Sequence, residues 1–279
     1  MDLQGGALRT LNLKLKTFMQ KTSQTKSRSS AKVRLLGLDF AGSRDFVHLY
    51  LEPPSWGYTP GQFVMLRPEI WGQDPVWPRP FSICEKTPEY VRIFVQVVGR
   101  GTSLLSSAAP DSEINMWGPL GRGFRISPEK RYLILAGGMG IAPFLGLCKE
   151  HPYPGKLSLI FGHRMDLSSY PFDELPGEMQ RQSMRQTTQE DMLHFGQVLQ
   201  EQITRFASRG EILACGPAPF LQVVQKHVLE AGASAQLSVE TRMACGVGAC
   251  LGCVVQTRGL GLVQSCVHGP VFDAGELVL

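Results

Sequence analysis

Tyr132-Leu-Ile-Leu-Ala-Gly-Gly-Met-Gly-Ile-Ala-Pro-Phe-Leu-Gly-Leu-Cys148 is a run of seventeen residues without a charge. A membrane-spanning helix needs about 20 apolar residues, and this run is broken by Gly137, Gly138, Gly140, Gly146 and Pro143. It therefore reads as a buried strand over Tyr132–Ala136, a glycine turn, and an apolar helix ending at Glu150. The same grammar continues downstream. Leu157-Ser-Leu-Ile-Phe161 is a second strand, and Gly196 to Phe206 has helical spacing with Val198, Leu199, Ile203 and Phe206 on one face. Glu211-Ile-Leu-Ala214 is another strand, followed by a helix carrying Phe220, Leu221, Val224, Val228 and Leu229. Strands alternating with helices predict an α/β domain with a parallel sheet over residues 128–236.

Upstream the pattern changes. Phe46-Val-His-Leu-Tyr-Leu51 and Val91-Arg-Ile-Phe-Val-Gln-Val97 are β-branched and aromatic, and Pro60-Gly61 turns into Phe63-Val-Met-Leu66. Short strands with hardly any helical pattern predict a small antiparallel β-barrel over residues 33–127. From about Leu237 to Leu279, cysteines and glycines dominate and make a third, small domain. The expected class is thus α+β multidomain. Residues 1–32 hold seven basic residues and one acid, Asp2, and end in a Ser- and Thr-rich stretch. They read as a flexible basic tail, a composition that a transit peptide shares.

Charge and cysteine usage narrow the function. The formal net charge is +4, yet outside the tail 21 basic residues face 23 acidic ones. A basic nucleic-acid-binding globule is excluded on that count, so no nucleic-acid partner is expected. No signal-like apolar segment opens the sequence, and no membrane association is expected. Seven cysteines, four of them between Cys245 and Cys266, suggest a metal centre in a reducing compartment rather than a disulfide framework. The expected location is the cytoplasm.

The spacing Cys245-x4-Cys250-x2-Cys253-x12-Cys266 belongs to the plant-type [2Fe–2S] pattern. Three thiolates on one tight loop can wrap one side of a cluster, and the fourth arrives from a neighbouring strand. Gly246, Gly248, Ala249 and Gly252 keep bulky side chains away, so backbone N–H groups can face the sulfurs. A four-cysteine zinc site is the alternative, although zinc knuckles use paired C-x2-C arms. The turn at Gly137, Gly138, Gly140 and Pro143 lets a backbone approach a pyrophosphate at a helix N-terminus. Cys215-Gly216-Pro217 follows a later strand of the same domain, where the edge of a nicotinamide could lie. A plain βα turn and a buried structural cysteine are the bland readings of these two segments. Arg79-Pro80-Phe81-Ser82 offers a guanidinium fork suited to a diphosphate and a hydroxyl suited to a ring. Gly101-Thr102 looks like a second phosphate-binding turn.

In this order the motifs resemble the ferredoxin-reductase superfamily, and within it the iron–sulfur electron-transfer subunits of class 1B dihydroorotate dehydrogenase. Pro60-Gly-Gln-Phe63, Arg79–Ser82, Gly101-Thr102, Gly118-Pro-Leu-Gly121, Gly137–Gly140, Cys215–Pro217, Arg242-Met-Ala-Cys245 and Cys266-Val-His-Gly-Pro-Val-Phe272 carry the resemblance. It implies a barrel that binds FAD through Arg79, Pro80, Phe81, Ser82, Phe94, Val95, Gln96, Gly101 and Thr102. It implies an NAD site at Gly137, Gly138, Gly140, Pro143, Cys215, Gly216 and Pro217, and a [2Fe–2S] cluster on Cys245, Cys250, Cys253 and Cys266. No catalytic acid or base is implied here, because the family places dihydroorotate chemistry on a partner flavoprotein subunit in pyrimidine (UMP) biosynthesis, two of each forming a heterotetramer. Two departures stand out: Gln96 replaces a basic residue, and Met184–Phe195 replaces an Asp/Gly-rich turn. The rival readings are a reductase module for hydrogenase, sulfite reduction or ferredoxin–NADP exchange, and a zinc-stabilised interaction module.

Overall fold

The computed structural model describes residues 29–279, so the basic tail lies outside the described residues up to Arg28. The remaining part of the span read as tail is strand. β1 (Ser29–Phe40) begins at Ser29 because Ser29 to Lys32 pair with Gly118 to Asn115. Backbone pairing accepts polar side chains on a solvated face, so nothing in their composition announced it.

β1 is followed by β2 (Phe46–Leu51), β3 (Phe63–Pro68), β4 (Arg79–Lys86), β5 (Val91–Gln96) and β6 (Glu113–Leu120), which close an antiparallel barrel in the order β1-β2-β5-β4-β3-β6. The short helix α1 (Arg100–Ser106) links the last two. Val47, Leu49, Val64, Leu66, Ile83 and Ile93 fill the interior. Phe63-Val-Met-Leu66 is buried at every position, which an ordinary barrel strand with one wet face is not. Val64 and Leu66 point into the barrel, whereas Phe63 and Met65 belong to a separate apolar cluster with Cys253 and Cys266. This strand therefore has two dry faces.

The second unit is a sheet in the order β14-β11-β10-β7-β8-β9. Its parallel strands are β7 (Tyr132–Gly137), β8 (Leu157–His163), β9 (Gln180–Arg185), β10 (Glu211–Cys215) and β11 (Ala235–Ser238). After β7 the chain steps outward to β8 and β9, then crosses to the other side of β7 for β10 and β11. The C-terminal ends of β7 and β10 thus flank a topological switch point, where open α/β sheets bind ligands. The glycine turn departs from expectation, because Gly138–Phe144 is a 3₁₀ segment and α2 (Leu145–Glu150) starts only afterwards. Pro143, inside that segment, has no N–H to give an α-helical ladder. Helix α3 (Gln189–Phe206) starts well before Gly196, at a capping box in which Thr188 and Asp191 exchange hydrogen bonds. Helix α4 (Ala218–Glu230) follows β10.

The cysteine-rich segment carries a hairpin, β12 (Val254–Thr257) and β13 (Gly261–Gln264), and ends in β14 (Val271–Asp273), which pairs antiparallel with β11. Both ends of this segment are held by the α/β sheet. Among the described residues no helix is long and apolar enough to cross a membrane.

A charged network joins the first two units. Arg92 on β5 is 4% exposed, donates from Nε to Nδ1 of His48 at 3.0 Å, and forms two bonds to the Glu174 carboxylate. Lys149 on α2 bonds both Glu85 and Glu174. Burial, then the adjacent Arg92 guanidinium, pushes His48 down to about 4. Burial would raise Glu174, but hydrogen bonds from Arg92 and Lys149 overcome it and hold the carboxyl at about 2.

Candidate functional site

A cleft of about 370 Å³ opens between the barrel and the switch point. Arg79, Pro80, Phe81 and Ser82 on β4 and Phe94, Val95 and Gln96 on β5 form one wall. Thr102, Met139, Ala142 and Cys215 bring α1, the glycine turn and β10 to the same space. The floor is apolar and aromatic. Phe94 is 3% exposed and held in place by His48, stacked on its ring at 4.5 Å. An apolar cleft with a few convergent polar groups is what a cofactor with a flat ring and a charged tail requires.

The charged end is built around Arg79. Its guanidinium lies over the Trp71 ring at 5.9 Å and beside Gly101, and Nη1 donates to the Trp77 carbonyl at 2.9 Å. Thr102 does not cap α1 from the position ahead of it, since the N-cap is Gly99. Its hydroxyl instead accepts from Val98 and Gly99 N–H and donates to the Gly99 carbonyl, closing the turn. Sequence reasoning missed Trp71. Its indole Nε1 is buried without a hydrogen-bond partner among the described residues, and the Cη2 and Cζ2 edge of its ring faces Gly101. A buried donor with no acceptor is costly. The Trp- and Pro-rich loop ahead of Arg79 was the available signal.

At the switch point, Gly137, Gly138 and Gly140 follow β7, and Cys215, Gly216 and Pro217 follow β10, with Ala136 opposite Cys215 in the register. A side chain on Gly140 would collide with the Cys215 carbonyl, and one on Gly216 would meet the Phe220 ring at 2.6 Å. These glycines let two strand ends close on one another. Pro143 is buried behind the turn and Pro217 caps α4. Burial pushes the Cys215 thiol up, with Glu240 adding to it, so it is a thiol rather than a thiolate. Glu240 also lines the cleft, and desolvation raises its carboxyl. The departure at Met184–Phe195 becomes the end of β9, a turn and the start of α3, and the buried Nε2 of Gln186 has no partner among the described residues.

The cysteine loop packs on the outer face of β3 and β6. A Cβ on Gly246 would meet Met65 Cγ at 2.6 Å, and the Trp117 indole donates to the Cys245 carbonyl at 3.2 Å. Gly246 and Gly248 have φ of 71° and 89°, left-handed values that glycine adopts without strain. The thiols stand as two pairs: Cys250 beside Cys245, and Cys253 beside Cys266. Among the described residues no three Cys, His, Asp or Glu side chains converge on one metal-ion position. Two pairs match a two-iron cluster, in which each iron takes two thiolates and shares the sulfides. Burial acts to raise the Cys245 thiol, but N–H groups of Val247 and Cys250, each 3.4 Å from Sγ, bring it to about 6. Cys266 is pushed to about 12 by burial, then by its neighbour Cys253. Cys266 lies two residues beyond β13 in a helical turn, and its neighbour Ser265 shares a 2.7 Å hydroxyl contact with Thr241 of the cleft.

Comparison with known proteins bears on this arrangement. The family model for the iron-sulfur cluster binding domain of dihydroorotate dehydrogenase B matches residues 240–278. The electron transfer subunit of dihydroorotate dehydrogenase B (NAD(+)) from Caldanaerobacter subterraneus subsp. tengcongensis is 36% identical over 223 residues, covering 78% of this chain and 87% of that one. Its counterpart from Clostridium acetobutylicum is 32% identical over 222 residues, covering 79% and 86%. Among solved structures, an NADH-dependent reduced ferredoxin-NADP oxidoreductase superposes with a TM-score of 0.73 at 23% identity, covering 89% of this chain and 90% of that one. A ferredoxin NADP+ reductase from Neisseria gonorrhoeae gives 0.56 at 16%, covering 73% and 92%. The last two likenesses are of fold.

Proposed function

Because the chain belongs to the family of dihydroorotate dehydrogenase B (NAD(+)) electron transfer subunits, we propose that it passes electrons between a catalytic dihydroorotate-oxidising flavoprotein and NAD through a [2Fe–2S] cluster and FAD. The observation that carries this reading is that one cleft gathers Arg79, Ser82, Phe94 and Cys215 and shares a wall with the cysteine loop. When bound, FAD exchanges a hydride with nicotinamide and the cluster carries single electrons, a chemistry that side chains alone do not provide.

The roles of the chain's own residues follow. Arg79, with the Gly101-Thr102 turn, holds the FAD diphosphate by charge and hydrogen bonding. Pro80, Phe81 and Val95 line its path, Gln96 replaces a charged contact with an amide, and Phe94 and Ser82 fix the ring. Gly137, Gly138, Gly140 and Pro143 with Cys215, Gly216 and Pro217 take the dinucleotide at the switch point. Cys245 and Cys250 hold one iron, Cys253 and Cys266 the other. No residue here acts as general base on dihydroorotate, a task assigned to the partner subunit, with which two copies of this chain form a heterotetramer. Seven cysteines with no disulfide among them suit a reducing cytoplasm.

The test is a visible spectrum of the anaerobically purified chain with extraction of its flavin. Flavin and iron–sulfur bands, with the flavin bleached by NADH, are expected. A colourless protein containing zinc would refute the reading.

A further inference from the structure

The cleft and the cysteine loop are adjacent, and the side chains between them can be identified. Phe63 lines the cleft and also packs with Met65, Leu120, Cys253 and Cys266. Met243 lines the cleft and packs against the same cluster. Among the described residues these two alone border both the cleft and the cysteine cluster. We propose that Phe63, backed by Met243, is the partition through which the flavin cleft and the thiol nest are electronically coupled, and that it sets both their separation and the dryness between them. The proposal rests on the functional reading given above.

Phe63 is well placed for this task. It lies on a barrel strand between Ser82 of β4 and Leu120 of β6, its cross-strand partners, and is 4% exposed. A rigid strand fixes a spacing better than a loop does. Room for the ring comes from Gly121, where φ is +71° and an added Cβ would stand 3.0 Å from Phe63 Cε1. The thiols are also asymmetric about it. Cys253 and Cys266, 2% and 0% exposed, face Phe63, while Cys245 is half-buried and Cys250 exposed on the open side. One side of the nest is thus sealed toward the cleft and the other is open toward an external redox partner.

Each crossing of this wall moves one electron, lost by one group and gained by the other. No bond forms or breaks in Phe63, and the proton of the hydride chemistry stays on the cleft side. In the proposed reaction the partner subunit's reduced flavin is the reductant and NAD+ the acceptor, and NADH drives the same path in reverse. Dryness matters because solvent access is one of the levers on an iron–sulfur potential. Water admitted beside the inner thiol pair would stabilise the extra negative charge of the reduced state and raise the potential.

The experiment compares Phe63→Leu and Phe63→Ala with the wild-type holoprotein. Phe63→Leu keeps an apolar wall without the ring, so the comparison survives if the alanine variant does not fold. FAD content, iron content and the rate at which NADH bleaches the flavin are measured for each variant, and cluster reduction is compared per fully loaded, flavin-reduced protein. Cluster reduction after flavin bleaching should slow several-fold in Phe63→Leu and further in Phe63→Ala. The cluster midpoint potential, read by equilibrium redox titration, should rise in the same order. Wild-type rates and potentials in fully loaded variants would overturn the partition. A wild-type protein without flavin or cluster bands would instead overturn the functional reading on which it rests.

Discussion

Arg92 and Glu174 join the barrel to the α/β unit through two parallel hydrogen bonds, Nη1 to Oε2 at 2.6 Å and Nη2 to Oε1 at 2.5 Å. The guanidinium is nearly inaccessible, whereas the carboxylate is 38% exposed. Removing the carboxylate leaves the buried cation with only its longer, 3.4 Å carboxylate contact, to Glu85; breaking a fully buried pair costs about 3–5 kcal/mol. Glu174→Gln should cost roughly 1–3 kcal/mol because Glu174 is partly wet. Chemical unfolding of the two proteins at neutral pH checks this.

The same network sets an acid limit. His48 in the folded chain titrates at about 4, below its ordinary value of 6.5, so the unfolded chain binds the proton first. Stability should therefore fall as pH drops from about 6.5 toward 4. Glu174, depressed from 4.5 to about 2, then removes its own contribution as pH falls through that lower window. His48→Gln, which keeps an acceptor for Arg92, should flatten the change in melting temperature between pH 6.5 and 4. An unchanged slope would show that other groups dominate.

Arg79→Ala should weaken FAD retention by about 1.5–3 kcal/mol, roughly ten- to hundredfold in affinity, through loss of a charge-assisted bond to the diphosphate. Equal flavin content after prolonged dialysis of variant and wild type would move the phosphate site elsewhere.

Cys250→Ser should abolish cluster assembly and leave FAD bound and reducible by NADH, since the residues proposed to hold the diphosphate lie on β4 and α1. Iron and flavin analyses on the same sample decide it. Loss of both would mean the two sites are not separable.

Leu251 sits between Cys250 and Cys253 with φ of 56° and is 57% exposed. A left-handed apolar residue beside the open thiols suits contact with the catalytic subunit. Leu251→Glu should impair NAD-linked dihydroorotate oxidation by the mixed subunits more than NADH-driven reduction of an artificial acceptor. The chain alone should show no dihydroorotate turnover, and turnover by the lone chain would transfer the substrate site to it.

Much of this molecule was legible in its residues, and the parts that were not share physical causes. The barrel strands announced themselves through β-branched residues buried on the inside, as in Phe46–Leu51. The four clustered cysteines were plain because spacing on one loop is a local property. β9 was missed, since Gln180-Arg-Gln-Ser-Met-Arg185 is an edge strand with mostly exposed side chains and no apolar alternation. The start of β1 was missed for a related reason, its pairing being satisfied by backbone alone. Trp71 and Glu240 could not be assigned from sequence because their significance comes from what other segments bring beside them. The two dry faces of Phe63–Leu66 were visible as a continuous apolar run, but what covered the second face was not.

The pairing of β11 with β14 has an architectural consequence. Ser238 and Val271 are partners in the register, so the cysteine-rich segment leaves the sheet and re-enters it at neighbouring strands, about 5 Å apart. It is an excursion between two anchored points, not a tail added to a finished reductase. A short turn joining those points would leave every strand of the α/β sheet in place but would remove Val239, Glu240, Thr241, Met243 and Pro270 from the wall of the cleft. The excursion therefore completes the cleft as well as carrying the cysteines, and exchanging it would alter both sites together.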